Sequence, residues 1–301
     1  MSCEIKHAYI FTLNGNLPVV NTCLQMLDYE TNDFYFLCDK KWNGHIEIKS
    51  NLIALKRARI RFIDSQIINW GGYSQVSAIL LLLKAVLDSG INYSYIHFLQ
   101  GSDLPIRHNK DIIDFFEKNK GKEFIDVDMR ESGLLWAENC CKYRYLFSHN
   151  RFYRKNLILK GINILIAKFQ KIIGIRCNKN VDFYYGSALF SITIDFAKYL
   201  LAQQDIIHKL FRWSLAPDEK FIQTILMNSP FRENLFNEKS PTSNSYLIDW
   251  TLREHNSPRV WRISDINLLT SQPNDVCFAR KFMSNVDMDV VNELKKRILN
   301  E

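Results

Sequence analysis

Residues 7–38 read HAYIFTLNGNLPVVNTCLQMLDYETNDFYFLC, and this stretch decides the fold class. A strand-like run over 7–13 is followed by a helical pattern over 19–27 and a second strand-like run over 34–38. This alternation is typical of a sheet covered by helices. A further helix is predicted over 73–87, between the glycines at 71–72 and the Ser89-Gly90 pair. The other strand candidates are 45–48, 60–63, 93–99 and 123–126.

The chain length permits two compact units or one large α/β domain, because 301 residues are about twice a typical domain. A composition of 47% hydrophobic and 24% charged residues is that of a globular protein and excludes disorder of the whole chain. No linker or repeat divides the sequence. We therefore expect a single domain over 1–301, with a nucleotide-like first half, 1–110, and an acceptor-like second half, 111–301.

Charge, hydropathy and cysteine content limit the partners and the cellular compartment that we expect. Lys and Arg number 39 against 32 Asp and Glu, and a net charge of +7 favours anionic partners. The longest apolar run, 78–83, is far shorter than the about 20 residues of a membrane span, and residues 1–6 lack a secretory signal. Seven cysteines without a C-x-x-C pair favour reduced thiols over disulfides or a zinc site. The expectation is a cytoplasmic protein, soluble or peripheral on a membrane.

Turns that follow strands carry the candidate chemistry, because ligands of open α/β sheets bind at the carboxyl ends of strands. Asp39 and Asp103 hold that position, although Asp103 could simply build an Asx turn. The glycine turn at 70–76 precedes a helix whose amides could face an anion. It has no G-x-G-x-x-G or G-K-[ST] pattern, which excludes a Rossmann or P-loop site.

Three later motifs are each ambiguous alone. The stretch 184–193 is a Gly-Ser turn entering an apolar strand. Pro217-Asp218-Glu219 stands at a helix start, where capping alone favours such residues. Arg280 and Lys281 lie between two phenylalanines, where they could hold an anion or extend to water.

In their order along the chain, these motifs resemble the Core-2/I-branching enzyme family. The motifs are Trp70-Gly-Gly-x-Ser-x-Val, Leu99-Gln-Gly-Ser-Asp-Leu-Pro, Gly186-Ser-Ala-Leu-Phe, Pro217-Asp-Glu and Phe278-Ala-Arg-Lys-Phe. The family comprises β-1,6-N-acetylglucosaminyltransferases, peptide O-xylosyltransferases and bacterial relatives, and the resemblance covers about residues 9–287. It implies a GT-A-type α/β fold with a mixed central sheet flanked by helices. It also implies inverting, metal-independent transfer of GlcNAc, xylose or glucose from a UDP-sugar to a hydroxyl of a glycan or lipid-linked acceptor.

The resemblance also implies roles for single residues. Glu219 matches the general base, and Lys281 matches a basic residue that stabilises the leaving diphosphate. An upstream arginine would assist, for which Arg259 is preferred and Arg262 is the rival. The implied donor-binding residues are Asp39, Trp70, Ser74, Asp103, Arg259, Arg262 and Lys281, and the implied acceptor-binding residues are Lys142, Arg144 and Trp250.

Two features leave other functions open. Asp126-Val-Asp128 spells D-x-D, so a metal-dependent transferase that uses these carboxylates is an alternative. The other feature is the segment 139–181, which holds no acidic residue, and whose apolar stretch 157–175 has the signature of an interfacial helix. Either it docks through 151–179 on an anionic membrane, or it packs on the sheet with a solvated basic face. A non-catalytic anion-binding protein is therefore a further alternative, while no nucleic-acid module is present.

Overall fold

A six-stranded mixed sheet forms the centre of the molecule in the computed structural model, which describes residues 5–153, 155–237, 243–253 and 257–300. The strand order in this sheet is β3-β2-β1-β4-β7-β6. Neighbours among β1, β2, β3 and β4 run parallel, whereas β7 is antiparallel to both β4 and β6. The strands of the sheet are β1 (His7–Leu13), β2 (Asn32–Asp39), β3 (Arg59–Gln66), β4 (Tyr95–Gln100), β6 (Phe124–Ile125) and β7 (Phe190–Thr193).

A second, three-stranded sheet lies after the carboxyl end of β4, in the order β5-β9-β8. β5 (Asp103–Pro105) pairs antiparallel with β9 (Phe278–Arg280), and β9 pairs parallel with β8 (Tyr246–Ile248). This small sheet brings the C-terminal part of the chain back to the turn that follows β4.

Helices cover the central sheet because they carry apolar residues at helical spacing. The α3 helix buries Val76, Ile79, Leu83 and Val86 and packs on β1 and β2. The helices are α1 (Leu17–Met26), α2 (Ile48–Asn51), α3 (Ser74–Asp88), α4 (Asn109–Lys118), α5 (Glu131–Cys141), α6 (Leu157–Ile172), α7 (Ile194–Ala202), α8 (Gln204–Phe211), α9 (Phe221–Met227), α10 (Ile266–Thr270) and α11 (Asp289–Leu299).

The predicted architecture is confirmed. The chain folds as an α/β domain with a mixed central sheet flanked by helices, and β1 and β2 are buried on both faces, as parallel strands under two helical layers are. The strand candidates 34–38, 60–63, 93–99 and 123–126 correspond to β2, β3, β4 and β6. The helical patterns over 19–27 and 73–87 correspond to α1 and α3.

The predicted strand over 45–48 is wrong. The chain forms a 3-10 turn at Asn43–His45 and then enters α2. The side chain of Ile46 is 78% exposed whereas that of Ile48 is buried, so these two residues do not share the single buried face that a strand would give them. The turn is closed by the His45 amide, which donates to the Trp42 carbonyl at 3.0 Å.

In the described part of the chain the six cysteines are free thiols, and Cys3 lies outside it. Over the same residues, the helices are too short or too polar for any of them to cross a bilayer.

A buried carboxylate joins β6 to β7 and gives a prediction for stability. Glu123 accepts hydrogen bonds from the amide of Thr193 at 2.9 Å and from its hydroxyl at 2.5 Å, and Thr193 also caps α7. Burial raises the pKa of Glu123 from 4.5 to about 7.

Between these two pKa values the folded state binds more protons than the unfolded state, so the free energy of unfolding falls as pH rises. We expect a contribution of up to about 3 kcal/mol, lost between about pH 5 and pH 8. In Glu123→Gln this component of the pH slope should be missing, whatever the absolute stability, when urea denaturation is measured across that range. An unchanged slope would contradict the assignment.

Candidate active site

The order of the central sheet reverses between β1 and β4, and ligands of open α/β sheets bind in the crevice outside the carboxyl ends at such a point. Asn16, just after β1, joins the loops at this position of the sheet. Its amide nitrogen donates to the carbonyls of Gly101 at 2.6 Å and Phe282 at 3.0 Å. Its amide oxygen accepts from the Ser284 amide at 3.0 Å. Gly101 permits this close approach, because a Cβ there would lie 3.1 Å from the Gly15 carbonyl oxygen.

Lys281 lies beside this crevice. The next residue, Phe282, donates its amide to the Ser102 carbonyl at 2.9 Å, which fixes the end of β9 against the turn after β4. The Lys281 ammonium is 3.1 Å from the Ser257 hydroxyl oxygen, and its carbonyl accepts from the Trp261 amide at 2.9 Å. The role of Lys281 in donor binding stays a prediction.

Asp103 supports the crevice from inside. Its carboxylate is fully buried and accepts from the Arg280 guanidinium at 2.6 Å and from the Gln100 amide at 2.8 Å. Burial raises the pKa of Asp103, while Arg280 and Lys281 oppose the shift. Both carboxylate oxygens are used by the protein, so Asp103 orients the basic end of β9.

The two arginine candidates differ in their surroundings. The Arg259 guanidinium lies between the carboxylates of Asp249, at 3.4 Å, and Asp265, and 5.3 Å above the Trp261 ring. Arg262 follows Trp261 in the sequence and is exposed, and its backbone amide donates to the Asp265 carboxylate at 3.0 Å. Two carboxylates therefore already balance the charge of Arg259.

Two motifs from distant parts of the sequence meet the Pro217–Glu219 turn, a short 3-10 helix. The Ala216 amide donates to the Gly71 carbonyl at 3.0 Å, and the Gln75 amide nitrogen donates to the Asp218 carboxylate at 2.6 Å. On its other side, the Glu219 carbonyl accepts from the Gly186 amide at 3.0 Å. The start of α3 and the turn before β7 therefore hold Glu219 at the carboxyl edge of the central sheet.

Backbone hydrogen bonds consequently tie Glu219, and Phe282 next to Lys281, to the loops of two neighbouring strands. Gly186 precedes β7 and Ser102 follows β4, and the two strands pair with Phe98 opposite Phe190. The loops at this edge therefore come from adjacent positions in the sheet, with Glu219 attached to one and Lys281 to the other.

A wholly buried ammonium stands beside Glu219. The nitrogen of Lys220 is 4.0 Å from a Glu219 carboxylate oxygen and donates to the Ala216 carbonyl at 3.1 Å. It also lies over the rings of Tyr185, at 5.1 Å, and Trp136, at 5.6 Å. The sequence analysis missed Lys220, Tyr185 and Trp136. The one available signal was a lysine among the apolar residues that open α9.

The Glu219 carboxylate is 38% exposed and has a shifted pKa. Burial raises its pKa above the ordinary glutamate value, and the positive charge of Lys220 opposes that rise. Burial and the neighbouring Glu219 charge also raise the pKa of Asp218. A partly exposed carboxylate with an elevated pKa is suited to accept a proton from a hydroxyl near neutral pH.

The other residues predicted to bind the donor lie at the same edge, near β2 and α3. Asp39 ends β2 and accepts from the amides of Lys41 at 3.0 Å and Ile68 at 3.2 Å. The Ser74 hydroxyl accepts from the Asn69 amide at 2.7 Å and so shapes the turn before α3. Trp70, in that turn, has a half-exposed ring.

The three residues predicted to bind the acceptor lie on separate elements. Lys142 forms an ion pair with Glu138 of α5 at 2.5 Å. Exposed Arg144 is anchored through its backbone, which exchanges two hydrogen bonds of 3.1 Å with the Gln170 side chain of α6. Trp250 follows β8 and has a half-exposed ring.

The D-x-D carboxylates have protein partners. Asp126 accepts from the Ser187 amide at 2.8 Å, and burial raises its pKa. Both oxygens of Asp128 accept from Arg130, at 2.8 and 2.7 Å, and this contact lowers the pKa of Asp128. Gly186 is required here, because a Cβ would lie 1.9 Å from the Asp126 carbonyl oxygen. Over the described residues, no three His, Cys, Asp or Glu side chains converge as a metal site would need.

Comparison with known proteins identifies the family. The family model for the Core-2/I-Branching enzyme matches residues 7–272, so the chain belongs to this family and the resemblance is confirmed. It is 22% identical over 308 residues to xylosyltransferase 2 of Rattus norvegicus, a match that covers 96% of this chain and 33% of the relative. It is also 22% identical over 317 residues to xylosyltransferase oxt of Drosophila melanogaster, covering 97% of this chain and 33% of that protein. The chain thus spans about a third of the length of these relatives.

Among solved structures, a match is found to the crystal structure of residues 1–349 of S. aureus TarS. It has a TM-score of 0.27 and 12% identity and covers 68% of this chain and 66% of that one. A likeness at this level carries no argument about function.

Proposed function

We propose that the protein is an inverting, metal-independent glycosyltransferase that moves a sugar from a UDP-sugar to a hydroxyl of a glycan or lipid-linked acceptor. Membership of the Core-2/I-branching family supports the reaction class. The observation that carries the proposal is the attachment of Glu219 and Lys281 to loops of the adjacent strands β7 and β4.

In this reaction the acceptor oxygen attacks the anomeric carbon from the face opposite UDP. Glu219 takes the proton of the acceptor hydroxyl as the new glycosidic bond forms, a contribution typically worth about 10²–10⁴ in rate. The bond from the anomeric carbon to the phosphate oxygen breaks, and UDP leaves with the electron pair. Lys281, with Arg262 as the more exposed arginine candidate, stabilises the charge that develops on the diphosphate.

Charge magnitudes make a metal unnecessary in this scheme. A cation 4 Å from a phosphate oxygen contributes about 4 kcal/mol at an effective dielectric near 20, so two cations match a shielded divalent ion. The engagement of both Asp128 oxygens by Arg130 supports the same view, since that carboxylate is already neutralised.

Exposed tryptophans support a carbohydrate acceptor. Trp136 lies over Lys220, and Trp250 follows β8. Such rings offer flat apolar faces on which a sugar can stack. The relatives named xylosyltransferases make UDP-xylose a candidate donor beside UDP-GlcNAc and UDP-glucose. We also propose that the protein is cytoplasmic and contacts a membrane peripherally through 151–179.

A thermal-shift series tests the proposal. With EDTA present, we expect one of UDP-GlcNAc, UDP-xylose and UDP-glucose to raise the melting temperature, because a bound ligand stabilises the folded state. Lys281→Ala should weaken UDP affinity by about tenfold or more, as loss of a cation from a diphosphate does. The control is Lys198→Ala, which removes an exposed lysine of α7. A shift that needs Mn²⁺ would overturn metal independence, and unchanged UDP affinity in Lys281→Ala would remove Lys281 from the site.

A further inference from the structure

Helix α6 is attached to the protein by its polar residues. Asn163 and Gln170 are its buried side chains. The Asn163 oxygen accepts from the Phe147 amide at 3.0 Å, and the Gln170 side chain exchanges hydrogen bonds with the Arg144 backbone. An ordinary surface helix buries its apolar stripe, whereas α6 buries polar residues.

The opposite side of α6 presents large apolar side chains to solvent. Eleven of the 25 exposed large apolar side chains in the described chain lie within residues 146–175. Five residues of α6 have exposed fractions from 61% to 83%: Leu157, Ile158, Leu165, Phe169 and Ile172. Soluble monomers rarely leave a contiguous apolar surface of this kind uncovered.

The charge around this face indicates what covers it. Residues 139–181 carry ten lysines and arginines and no acidic residue. Nine of them are described, and the tenth, Arg154, lies outside the described residues. Next to the C-terminal end of α6, a cavity of about 320 Å³ is lined by Arg144, Lys209 and Arg212 among others. Apolar side chains that enter a bilayer and cations that remain at its headgroups fit an anionic lipid surface.

We propose that the solvent-facing side of α6 docks on an anionic lipid bilayer. Serine and histidine at 148–149 link this surface to the candidate site. A Cβ on Gly72 would lie 2.9 Å from the Ser148 carbonyl oxygen, and the Asn69 side chain donates to the His149 carbonyl at 2.7 Å. The segment 147–149 therefore lies between α6 and the turn at 69–72, which contacts the Pro217–Glu219 motif. This docking surface rests on the proposed function: a protein docked through α6 would have Glu219 near a lipid-linked acceptor in the bilayer.

Sedimentation with vesicles tests the docking surface. The full chain should bind phosphatidylcholine vesicles that contain about 30% phosphatidylglycerol about tenfold or more better than pure phosphatidylcholine. About 0.5 M salt should weaken this binding, because it screens the charge attraction. Leu165→Glu with Phe169→Glu should abolish binding, and Lys168→Glu with Lys171→Glu should reduce it by about 30-fold or more.

The matched control is Leu268→Glu, a change of an exposed leucine in α10, which should bind like the parent. All changed side chains are exposed, and unaltered melting temperatures would verify folding. Equal binding to neutral and anionic vesicles would overturn the proposal. So would a dimer in light scattering that Leu165→Glu dissociates without any vesicle binding by the parent, since a second copy would then cover the face. The vesicle assay needs no catalysis and the UDP assay needs no lipid, so the two proposals fail separately.

Discussion

Glu219→Gln is expected to lower turnover by about 100-fold or more, because glutamine cannot accept the proton of the attacking hydroxyl. UDP affinity should stay unchanged, since the diphosphate contacts of the proposed reaction come from the basic residues near β9. Initial rates at saturating donor and a separate UDP titration measure the two quantities. Turnover within about threefold of the parent would remove Glu219 from its role.

Lys220→Met is the companion variant, and it keeps the length of the side chain while removing the ammonium. Lys220 opposes the rise in the pKa of Glu219, so its loss should raise that pKa further. Because the carboxylate must be ionised to act as a base, the acid limb of the pH–rate profile should move to higher pH. At pH values above this acid limb, the turnover of the variant should approach that of the parent. A uniform loss across the profile would indicate a merely structural lysine.

Asp103→Asn is expected to destabilise the fold by about 3 kcal/mol, because it leaves the Arg280 guanidinium beside a neutral partner in a largely buried site. Denaturant unfolding measures this change. The double variant Asp103→Asn with Arg280→Met should lose less free energy of unfolding than the sum of the two single variants, because the two side chains are in direct contact. Additive losses, or a single loss below about 1 kcal/mol, would show that the ion pair contributes little.

The architecture was predictable where the sequence pattern is strong. Runs such as β1 and β2 are buried on both faces, and α3 has clear boundary residues, so their patterns required no knowledge of distant contacts. The run 45–48 failed because four residues cannot show whether an apolar side chain has a buried face. The orientation of α6 was left open for a similar reason, because two polar residues, Asn163 and Gln170, determine which side faces the protein.

In the candidate site, the sequence led to residues within recognisable motifs, including Glu219 and Lys281. It did not lead to the pairing of Asp103 with Arg280, which joins positions 177 apart. Nor did it lead to Lys220 beneath two aromatic rings, because a lysine next to an acidic motif reads as an ordinary solvated residue. Such contacts depend on which loops the sheet order brings together.

The side-chain amide of Asn16 joins the turn after β1 to the backbone of Gly101 and, from much later in the sequence, to that of Phe282 and Ser284. During synthesis, a ribosome that has released only residues 1–110 has supplied β1 to β5 without β9 and the adjoining Lys281. A fragment of that length should therefore not bind UDP, the nucleotide of the proposed reaction. Binding of the proposed donor would then begin late in synthesis, when β9 has joined the small sheet and the residues after it contact the turn that contains Asn16.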